Sequence, residues 1–186
     1  MTMASHQGLG IVIMGVSGCG KSTVAEKLSE SLGCSFLEAD DFHSQKNKAK
    51  MSKGVPLTDD DRTPWLEALR DAMRAKMGAG ETVTVTCSAL RKEYRDILRS
   101  ADAGHRQGRA YADCKVRFAC LEAPAEVLAG RISARSRDQK HFMPVSLLRS
   151  QLELLQIDED EGIVMVDATK SIKDIIDAIV CSLLSD

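Results

Sequence analysis

The chain has 186 residues, of which 44% are hydrophobic and 28% charged, a balance typical of one globular domain with a substantial core. The formal net charge is −2 and the basic residues are scattered, which argues against a nucleic-acid partner. No apolar run approaches the roughly 20 residues of a membrane-spanning helix, and the N-terminus lacks the layout of a signal peptide. We therefore expect a single domain over residues 1–186, located in the cytoplasm and without a membrane partner.

The first predicted elements are a strand, a glycine-rich loop and a helix. Residues 10–14 (GIVIM) form an apolar run that predicts a buried parallel strand, and residues 23–32 show helical spacing before Gly33, which predicts the helix end. Between them, residues 15–22 (GVSGCGKS) satisfy the pattern G-x-x-x-x-G-K-[ST] of a phosphate-binding loop, or P-loop. Backbone N–H groups of such a loop surround phosphate oxygens at the positive end of a helix dipole. Because a strand and a helix flank the motif, a nucleoside triphosphate site is favoured over a mere glycine-rich turn.

The P-loop also suggests individual roles. Lys21 would reach the β- and γ-phosphates, and Ser22 would place its hydroxyl on Mg²⁺. Cys19 is of interest among the six cysteines, which show no C-x-x-C spacing, because a helix N-terminus favours its thiolate. We expect alkylation of Cys19 to block nucleotide binding. The predicted nucleotide contacts in this region are Gly15, Val16, Ser17, Gly18, Cys19, Gly20, Lys21, Ser22 and Thr23.

An acidic run follows the second predicted strand, residues 34–37. Ligands of parallel sheets bind at the carboxyl ends of the strands, and we expect this strand to lie next to the P-loop strand. Phosphoryl transfer needs a carboxylate near the acceptor hydroxyl, and Asp40 is our candidate base, with Glu38 or Asp41 as alternatives. The other interpretation is that these carboxylates only cap the next helix.

The segment that follows is polar and then helical. Residues 42–51 predict a helix, and residues 58–62 an acidic turn. Thr63 is a plausible N-cap with Pro64 at the first helical position, so we expect the next helix to begin there. An apolar stripe within residues 65–77 indicates the face that this helix buries.

Strands and helices alternate through the rest of the chain. The predicted elements are a strand at 82–87, a helix at 91–98, a polar excursion at 101–114, a strand at 116–121, helices at 125–134 and 145–155, a strand at 162–166 and a helix at 171–184. This order predicts an α/β fold with a mostly parallel sheet of five strands. Ser88 and Asp167 follow two of these strands and so belong to the ligand-binding edge.

Arg131 and Arg135 lie four residues apart and share a helix face, just before the charged loop 135–140 (RSRDQK). Paired arginines and a basic loop are typical of a lid that closes over phosphates, although a solvated helix face is the alternative. Other cationic side chains that could hold an anionic substrate, or merely lie at the surface, are Arg62, Arg91, Lys92 and Arg95.

Three further blocks resemble the small gluconate kinases of the P-loop type. They are residues 39–66 (ADDFHSQKNKAKMSKGVPLTDDDRTPWL), residues 87–99 (CSALRKEYRDILR) and residues 141–155 (HFMPVSLLRSQLELL). With the P-loop they span nearly the whole chain in family order, and the first block is far more specific than the P-loop. The resemblance implies transfer of the γ-phosphate of ATP, with Mg²⁺, to the 6-hydroxyl of D-gluconate.

The resemblance also implies a fold similar to that of shikimate and adenylate kinases. This fold has a five-stranded parallel sheet flanked by helices, a substrate-binding segment at about residues 39–80, and a lid at about residues 131–146. Dimers are common in the family, so a homodimer is a further expectation.

The resemblance assigns roles position by position. Asp40 matches the acidic residue that faces the acceptor hydroxyl, and Lys21, Asp40 and Arg135 form the implied catalytic set. The spacing of Arg131 and Arg135 is similar to an adenylate-kinase pair that stacks on adenine and reaches the phosphates. Asp167 and Thr169 match the segment that reads the adenine edge. The positions implied for the acceptor substrate are Asp40, His43, Arg62, Ser88, Arg95, His141 and Gln151.

Some positions depart from the family pattern. Glu38 stands where related kinases often have the first Asp of a D-x-D pair, and Cys19 replaces a common serine. Residues 101–114 match no family motif. The competing interpretations are a kinase of another small anionic acceptor such as shikimate or adenylylsulfate, a regulatory protein that binds ATP without transferring phosphate, and a nucleic-acid kinase.

Overall fold

A computed structural model describes residues 8–105, 110–137 and 145–184. Its five strands are β1 (Gly10–Met14), β2 (Ser35–Glu38), β3 (Val83–Thr86), β4 (Val116–Glu122) and β5 (Val164–Asp167). They form one sheet in the order β2-β3-β1-β4-β5, and every neighbouring pair is parallel. The predicted five-stranded parallel sheet is confirmed. The expectation that β2 neighbours the P-loop strand is wrong, because β3 pairs with both β1 and β2 and lies between them.

Helices flank this sheet. They are α1 (Lys21–Leu32), α2 (Gln45–Ser52), α3 (Asp59–Gly78), α4 (Lys92–Arg99), α5 (Ala125–Arg137), α6 (Ser146–Leu154) and α7 (Ile172–Leu184). Short 3₁₀ turns occur at Ala39–Phe42, Tyr111–Asp113 and Glu159–Glu161. In the part of the chain that the structure describes, no helix combines the length and the apolar character needed to cross a bilayer.

The sheet divides the hydrophobic core into two layers. Val12 and Met14 of β1 pack in one layer with α3 and α4, whereas Ile11 and Ile13 pack in the other with α1 and α7. All four side chains are 0% exposed. Burial on both faces explains why β1 is a continuous apolar run instead of an alternating one.

The parallel arrangement brings the carboxyl ends of all five strands to one edge of the sheet. The P-loop follows β1 at this edge, the acidic segment follows β2, and Ser88 lies just beyond β3. Segments far apart in sequence therefore meet at this edge, and the site is built there.

Helix α1 begins at Lys21, earlier than the predicted Thr23, so the last residues of the P-loop motif belong to its first turn. Its predicted end at Gly33 is confirmed. Gly33 has a φ of 60°, and its N–H group donates to the carbonyl of Glu30. A left-handed glycine after the last turn is a common helix stop.

Helix α3 begins at Asp59, and the prediction that Thr63 is its N-cap is wrong. The N-cap is Thr58, whose side chain accepts from the Asp61 N–H at 3.3 Å, while the Asp61 carboxylate accepts from the Thr58 N–H at 3.0 Å. This reciprocal capping box satisfies N–H groups that the first turn leaves unpaired. Pro64 lies inside the helix instead of at its first position. The predicted acidic turn is thus the first turn of α3, where carboxylates are favoured by the helix dipole.

We expect Thr58→Ala to lower the free energy of unfolding by about 1 kcal/mol, because the N-cap side chain is lost. Thr63→Ala is the matched control, since Thr63 is exposed and its hydroxyl donates only to the Asp59 carbonyl of its own helix. Its effect should stay within about 0.5 kcal/mol. Urea unfolding followed by circular dichroism measures both changes. A larger loss for Thr63→Ala than for Thr58→Ala would contradict this assignment of the cap.

Candidate active site

The P-loop depends on glycine for its path between β1 and α1. Gly15, Gly18 and Gly20 have φ values of 136°, 83° and 95°, a region that side chains disfavour. A Cβ at Gly15 would lie 2.6 Å from the carbonyl oxygen of Leu121, and one at Gly18 would lie 2.8 Å from that of Leu128. At Gly20 none of the described atoms lies within 4 Å of such a Cβ. The loop is therefore pressed against β4 and α5 on one side and open on the other.

An open cleft lies over the P-loop. Its walls come from the P-loop, the segment after β2, the start of α3, the end of β3, and helices α5 and α6. The predicted site residues that line it are Ser17, Gly18, Gly20, Lys21, Ser22, Asp40, His43, Arg62, Ser88, Arg135 and Gln151. The fold thus brings together most of the side chains that the sequence predicts for nucleotide and acceptor.

Hydrogen bonds fix the P-loop on two sides of this cleft. The Gly15 N–H donates to the Ser88 carbonyl at 3.3 Å, which ties the start of the loop to the end of β3. The Ser17 N–H donates to the side-chain oxygen of Gln151 at 2.7 Å, which ties the loop to α6. The Lys21 ammonium donates to the Val16 carbonyl at 3.1 Å and so lies folded over the loop. This cation thus lies at the loop that the motif predicts to bind phosphate oxygens.

Carboxylates line the cleft from the end of β2 and from the segment that follows it. Glu38 and Asp40 both line the cleft, and the Asp40 side chain is 73% exposed. The Thr86 hydroxyl donates to the Glu38 carboxylate and accepts from the Ala39 N–H at 3.1 Å. Glu38 is therefore held by β3, whereas Asp40 projects into the open cleft. Asp41 is exposed and is not among the cleft residues.

His43 forms part of the wall beside Asp40. It is 7% exposed, and its ring stacks on Trp65 with centroids 4.0 Å apart and an interplanar angle of 18°. The Trp65 indole N–H in turn donates to the Ala39 carbonyl at 2.7 Å. The His43 Nε2 atom lies 3.9 Å from the Asp40 carboxylate. The ring is thus fixed in place next to the candidate base.

The buried ring of His43 is held in its neutral form. Burial, and after it the positive charges of Arg62 and Lys48, lower the pKa of His43 to about 4. Its Nδ1 atom is buried and has no hydrogen-bond partner among the described residues. Such an unsatisfied buried atom is costly, and the surrounding fold offsets that cost.

Arg62 brings a positive charge to the same wall from the first turns of α3. Its Nε atom donates to the Leu57 carbonyl at 3.3 Å, and its guanidinium lies over the Tyr94 ring at 5.4 Å from the centroid. The Tyr94 hydroxyl donates to Asp59 at 2.5 Å. These contacts hold the guanidinium in one place, as bidentate recognition of a carboxylate requires.

Arg95 does not belong to this cleft, and the prediction that it holds the acceptor is corrected. It is 0% exposed, and each of its guanidinium nitrogens donates to the carboxylate of Glu161 or to a backbone carbonyl. A small anion has no access to it. A charge pattern along the sequence cannot distinguish this buried cation from Arg62.

Several residues of the P-loop region face the core instead of the cleft. Val16 and Cys19 are 3% and 2% exposed and pack among apolar side chains, so their backbone alone can serve a nucleotide. The burial of the Cys19 thiol argues against the expected blockade by alkylation. Gly15 and Thr23 are also absent from the cleft lining.

A second, shallow surface pocket holds the predicted adenine-reading residues. Asp167 and Thr169 line it together with residues 122–124, and the Thr169 N–H donates to the Asp167 carboxylate at 2.8 Å. Arg131 points toward this side, where it donates to the Ala168 carbonyl at 2.9 Å. Arg131 and Arg135 therefore diverge, one toward this pocket and one toward the cleft. His141 and part of the predicted lid lie outside the described residues.

Other cleft residues were not predicted as functional. They are Ala39, Met51, Val55, Pro56, Leu57, Trp65, Thr86, Cys87, Ile132, Leu147 and Ser150. Trp65 was assigned only to the apolar stripe of α3, although it also supports His43. Leu147 could have been found from Gln151, because positions four apart share a helix face.

The comparisons with known proteins agree on one family. A family model described as an AAA domain matches residues 11–156. A gluconokinase of Arabidopsis thaliana is 48% identical over 169 residues, which cover 91% of this chain and 89% of that protein. A solved sugar kinase from Janibacter sp. HTCC2649 is 41% identical with a TM-score of 0.82, covering 95% of this chain and 94% of its own. A solved gluconokinase from Sinorhizobium meliloti 1021 is 40% identical with a TM-score of 0.78, covering 96% and 93%.

A more distant structure shares the fold alone. A shikimate kinase from Acinetobacter baumannii is 18% identical with a TM-score of 0.61, and the match covers 97% of this chain and 96% of that one. The predicted likeness to the shikimate kinase fold is therefore confirmed.

We expect His43→Phe to flatten the dependence of stability on pH. The pKa of His43 falls from 6.5 to about 4 on folding, so the unfolded chain binds more protons between these values. Wild-type stability should accordingly decrease as the pH falls from 6.5 toward 4, and phenylalanine keeps the stacked ring without titrating. Urea unfolding at several pH values from 8 to about 5, above the range of ordinary carboxylates, measures the slope. An unchanged slope in the variant would show that His43 is not the group responsible.

Proposed function

The chain belongs to the gluconokinase family of P-loop kinases, and on that basis we propose that it transfers the γ-phosphoryl group of ATP to the 6-hydroxyl of D-gluconate, giving 6-phospho-D-gluconate. The observation that carries the proposal is the cleft itself. Its phosphate-binding loop faces a wall that holds a carboxylate, a neutral histidine and an arginine, namely Asp40, His43 and Arg62. A sugar acid offers a hydroxyl, further polar groups and a carboxylate to these three.

The nucleotide occupies the P-loop end of the cleft in this proposal. Backbone N–H groups and the Lys21 ammonium hold the β- and γ-phosphates, and Arg135 on α5 neutralises charge on the transferring group. The adenine ring extends to the shallow pocket at Asp167 and Thr169, with Arg131 beside it. This orientation directs the γ-phosphate toward the wall of Asp40.

The residues present also fit Mg²⁺. Ser22 supplies a hydroxyl oxygen at the start of α1, and Glu38 and Asp40 supply carboxylates to the same cleft. Among the described residues no group of three His, Cys, Asp or Glu side chains forms a metal cage. That agrees with Mg²⁺ bound mainly through phosphates, waters and one or two protein oxygens. The bound ion would neutralise negative charge on the phosphates during transfer.

Asp40 is the general base of the proposed reaction. It would accept the proton of the 6-hydroxyl as that oxygen attacks the γ-phosphorus in line with the leaving ADP. Its exposure in the cleft supports this role over Glu38, which Thr86 engages, and over Asp41, which lies outside the lining.

The acceptor is held by the wall around Asp40. The neutral His43 ring forms part of the surface against which the acceptor lies, and Arg62 pairs with the substrate carboxylate. Ser88 and Gln151 complete the wall nearest the P-loop. Met51 and Val55 contribute an apolar surface to the same cleft.

The proposal is tested by an ADP-release assay with Mg-ATP against gluconate, shikimate, glycerate, glucose and AMP. We expect turnover on gluconate to exceed turnover on the others by at least about a hundredfold, because a site that pairs buried polar groups discriminates strongly. The product is identified by ³¹P NMR as a 6-phosphate. Turnover on a different acid would keep the kinase chemistry and refute the acceptor, whereas ATP binding without any turnover would favour a regulatory role.

We expect Asp40→Asn to lower kcat by about 10² to 10⁴-fold, because the base is removed. Its Kd for ATP should change far less. Asp41→Asn is the matched control, since it makes the same substitution at the neighbouring exposed carboxylate outside the cleft. Steady-state kinetics and nucleotide titration measure both. Equal losses in the two variants would remove Asp40 from the role of base.

A further inference from the structure

Two arginines of α4 are buried around one carboxylate. Arg95 and Arg99 are 0% and 1% exposed, and Glu161 is 4% exposed. Arg95 donates from Nε and from a terminal nitrogen to Glu161 at 2.9 and 2.5 Å, and Arg99 donates to it at 2.7 Å. Burial alone would raise the pKa of Glu161, but the hydrogen bonds and charges of the two arginines outweigh it and lower the pKa to about 2. Glu161 therefore stays ionised in the folded protein.

Arg95 makes two further contacts that Arg99 does not make. Its terminal nitrogens donate to the carbonyl of Ala89 at 2.8 Å and to the carbonyl of Gln156 at 2.7 Å. The other contacts of Arg99 are to Asp96 on its own helix and to the faces of Tyr111 and Phe118. Arg95 thus joins the buried carboxylate to backbone, whereas Arg99 does not.

The backbone that Arg95 holds is the turn after β3. Three successive carbonyls of this turn each accept a hydrogen bond from a different part of the chain. Ser88 accepts from the Gly15 N–H of the P-loop, Ala89 accepts from Arg95, and Leu90 accepts from the Gln156 N–H. The turn is therefore the junction between the P-loop, α4 and the segment that follows α6.

Ala89 at the centre of this turn is strained. Its φ is 44°, and it is the one non-glycine residue with a positive φ in the described part of the chain. An alanine in this region costs roughly 1 kcal/mol or more relative to its ordinary conformations. Hydrogen bonds at its own carbonyl and at those on either side keep it there.

Gln156 connects Arg95 to helix α6, which forms the other wall of the cleft. Its N–H donates to Leu90 and its carbonyl accepts from Arg95, so both backbone groups of this residue are fixed. Helix α6 ends at Leu154 just before it, and Gln151 of that helix accepts from the Ser17 N–H. The position of α6 over the P-loop therefore depends on the same buried arginine.

We propose that Arg95 is a positioning residue for phosphoryl transfer, which fixes the turn carrying Ser88 and the base of helix α6 so that the two walls stand at the correct distance from the P-loop. The proposal rests on the proposed function for its kinetic readout. Arg95 touches neither nucleotide nor acceptor, and its effect passes through Ala89 and Gln156.

The chain supplies a matched control in Arg99. Arg95→Met and Arg99→Met each remove a buried guanidinium from α4 and one partner from Glu161, but only the first frees the two carbonyls. We expect both variants to lose thermal stability, while kcat on gluconate falls at least tenfold in Arg95→Met and less than threefold in Arg99→Met. The Kd for ATP should stay within threefold in both, because the P-loop itself is intact. All kinetics are measured well below each variant's own Tm.

If Arg95→Met fails to fold, Arg95→Lys is used instead. Lysine keeps the positive charge beside Glu161 but lacks the forked guanidinium that reaches both carbonyls. Ala89→Gly then provides a rescue. Glycine takes a positive φ without steric cost, so the turn needs less support. We expect the kcat of the double variant Arg95→Lys/Ala89→Gly to be at least threefold higher than the kcat of Arg95→Lys alone. The proposal would be overturned if the effects of Arg95→Lys and Ala89→Gly on kcat were strictly additive. Equal kcat losses in the Arg95 and Arg99 variants would overturn it as well.

Hydrogen–deuterium exchange tests the positioning role of Arg95 without depending on which acceptor the enzyme uses. In the absence of any substrate, Arg95→Lys should increase exchange in peptides that cover residues 88–90 and 147–156, and Arg99→Met should not. Wild-type protein that fails to phosphorylate gluconate would refute the proposed function alone. Unchanged exchange in these peptides would refute the positioning role whichever acceptor is used.

Discussion

The close approach of the P-loop to β4 and α5 is the constraint on which the site depends. Side-chain atoms cannot be accommodated at Gly15 and Gly18, because backbone carbonyls occupy that space within 3 Å. The loop is therefore pressed against the rigid centre of the sheet, and its open side, at Gly20, is turned toward the cleft. Cys19 is buried on the protein side as a consequence. A phosphate-binding surface made of backbone needs this fixed geometry, since it has few side chains with which to adapt.

The catalytic cleft requires a second fixed point, because its other walls come from remote parts of the chain. In a parallel sheet the segments that form these walls all begin at one edge of the sheet. This topology does not set the distances of the walls from the P-loop. The hydrogen bonds between the turn after β3, the P-loop and the segment after α6 supply that distance. Arg95 satisfies two of the carbonyls involved without bringing a free charge into the cleft, because Glu161 balances it. Replacing a buried ion pair by apolar residues is often neutral for stability, so the role proposed for this pair is in the arrangement of backbone.

The parts of the fold that were predictable from sequence are those with local causes. The P-loop, the five strands and the stop at Gly33 follow from glycine spacing and short-range periodicity, and the structure has them where they were expected. Arg95 was misassigned because its partner Glu161 is remote in sequence, and surface and buried arginines look alike in a pattern. The start of α3 was misplaced because Thr63–Pro64 is a familiar N-terminal signal, whereas the reciprocal bonds of Thr58 and Asp61 are the ones formed. The order of the strands depends on crossovers that no local signal specifies.

The neutral state of His43 has a consequence for the candidate base. A protonated imidazole would place a positive charge 3.9 Å from the Asp40 carboxylate, the candidate proton acceptor. Stacking on Trp65 and burial hold the ring in a place where Arg62 and Lys48 also disfavour its charge. Arg62, which lines the same cleft, thus adds to the effect of burial in keeping the histidine uncharged. The ring next to the candidate base therefore brings no positive charge of its own, although its Nε2 atom lies only 3.9 Å from that carboxylate.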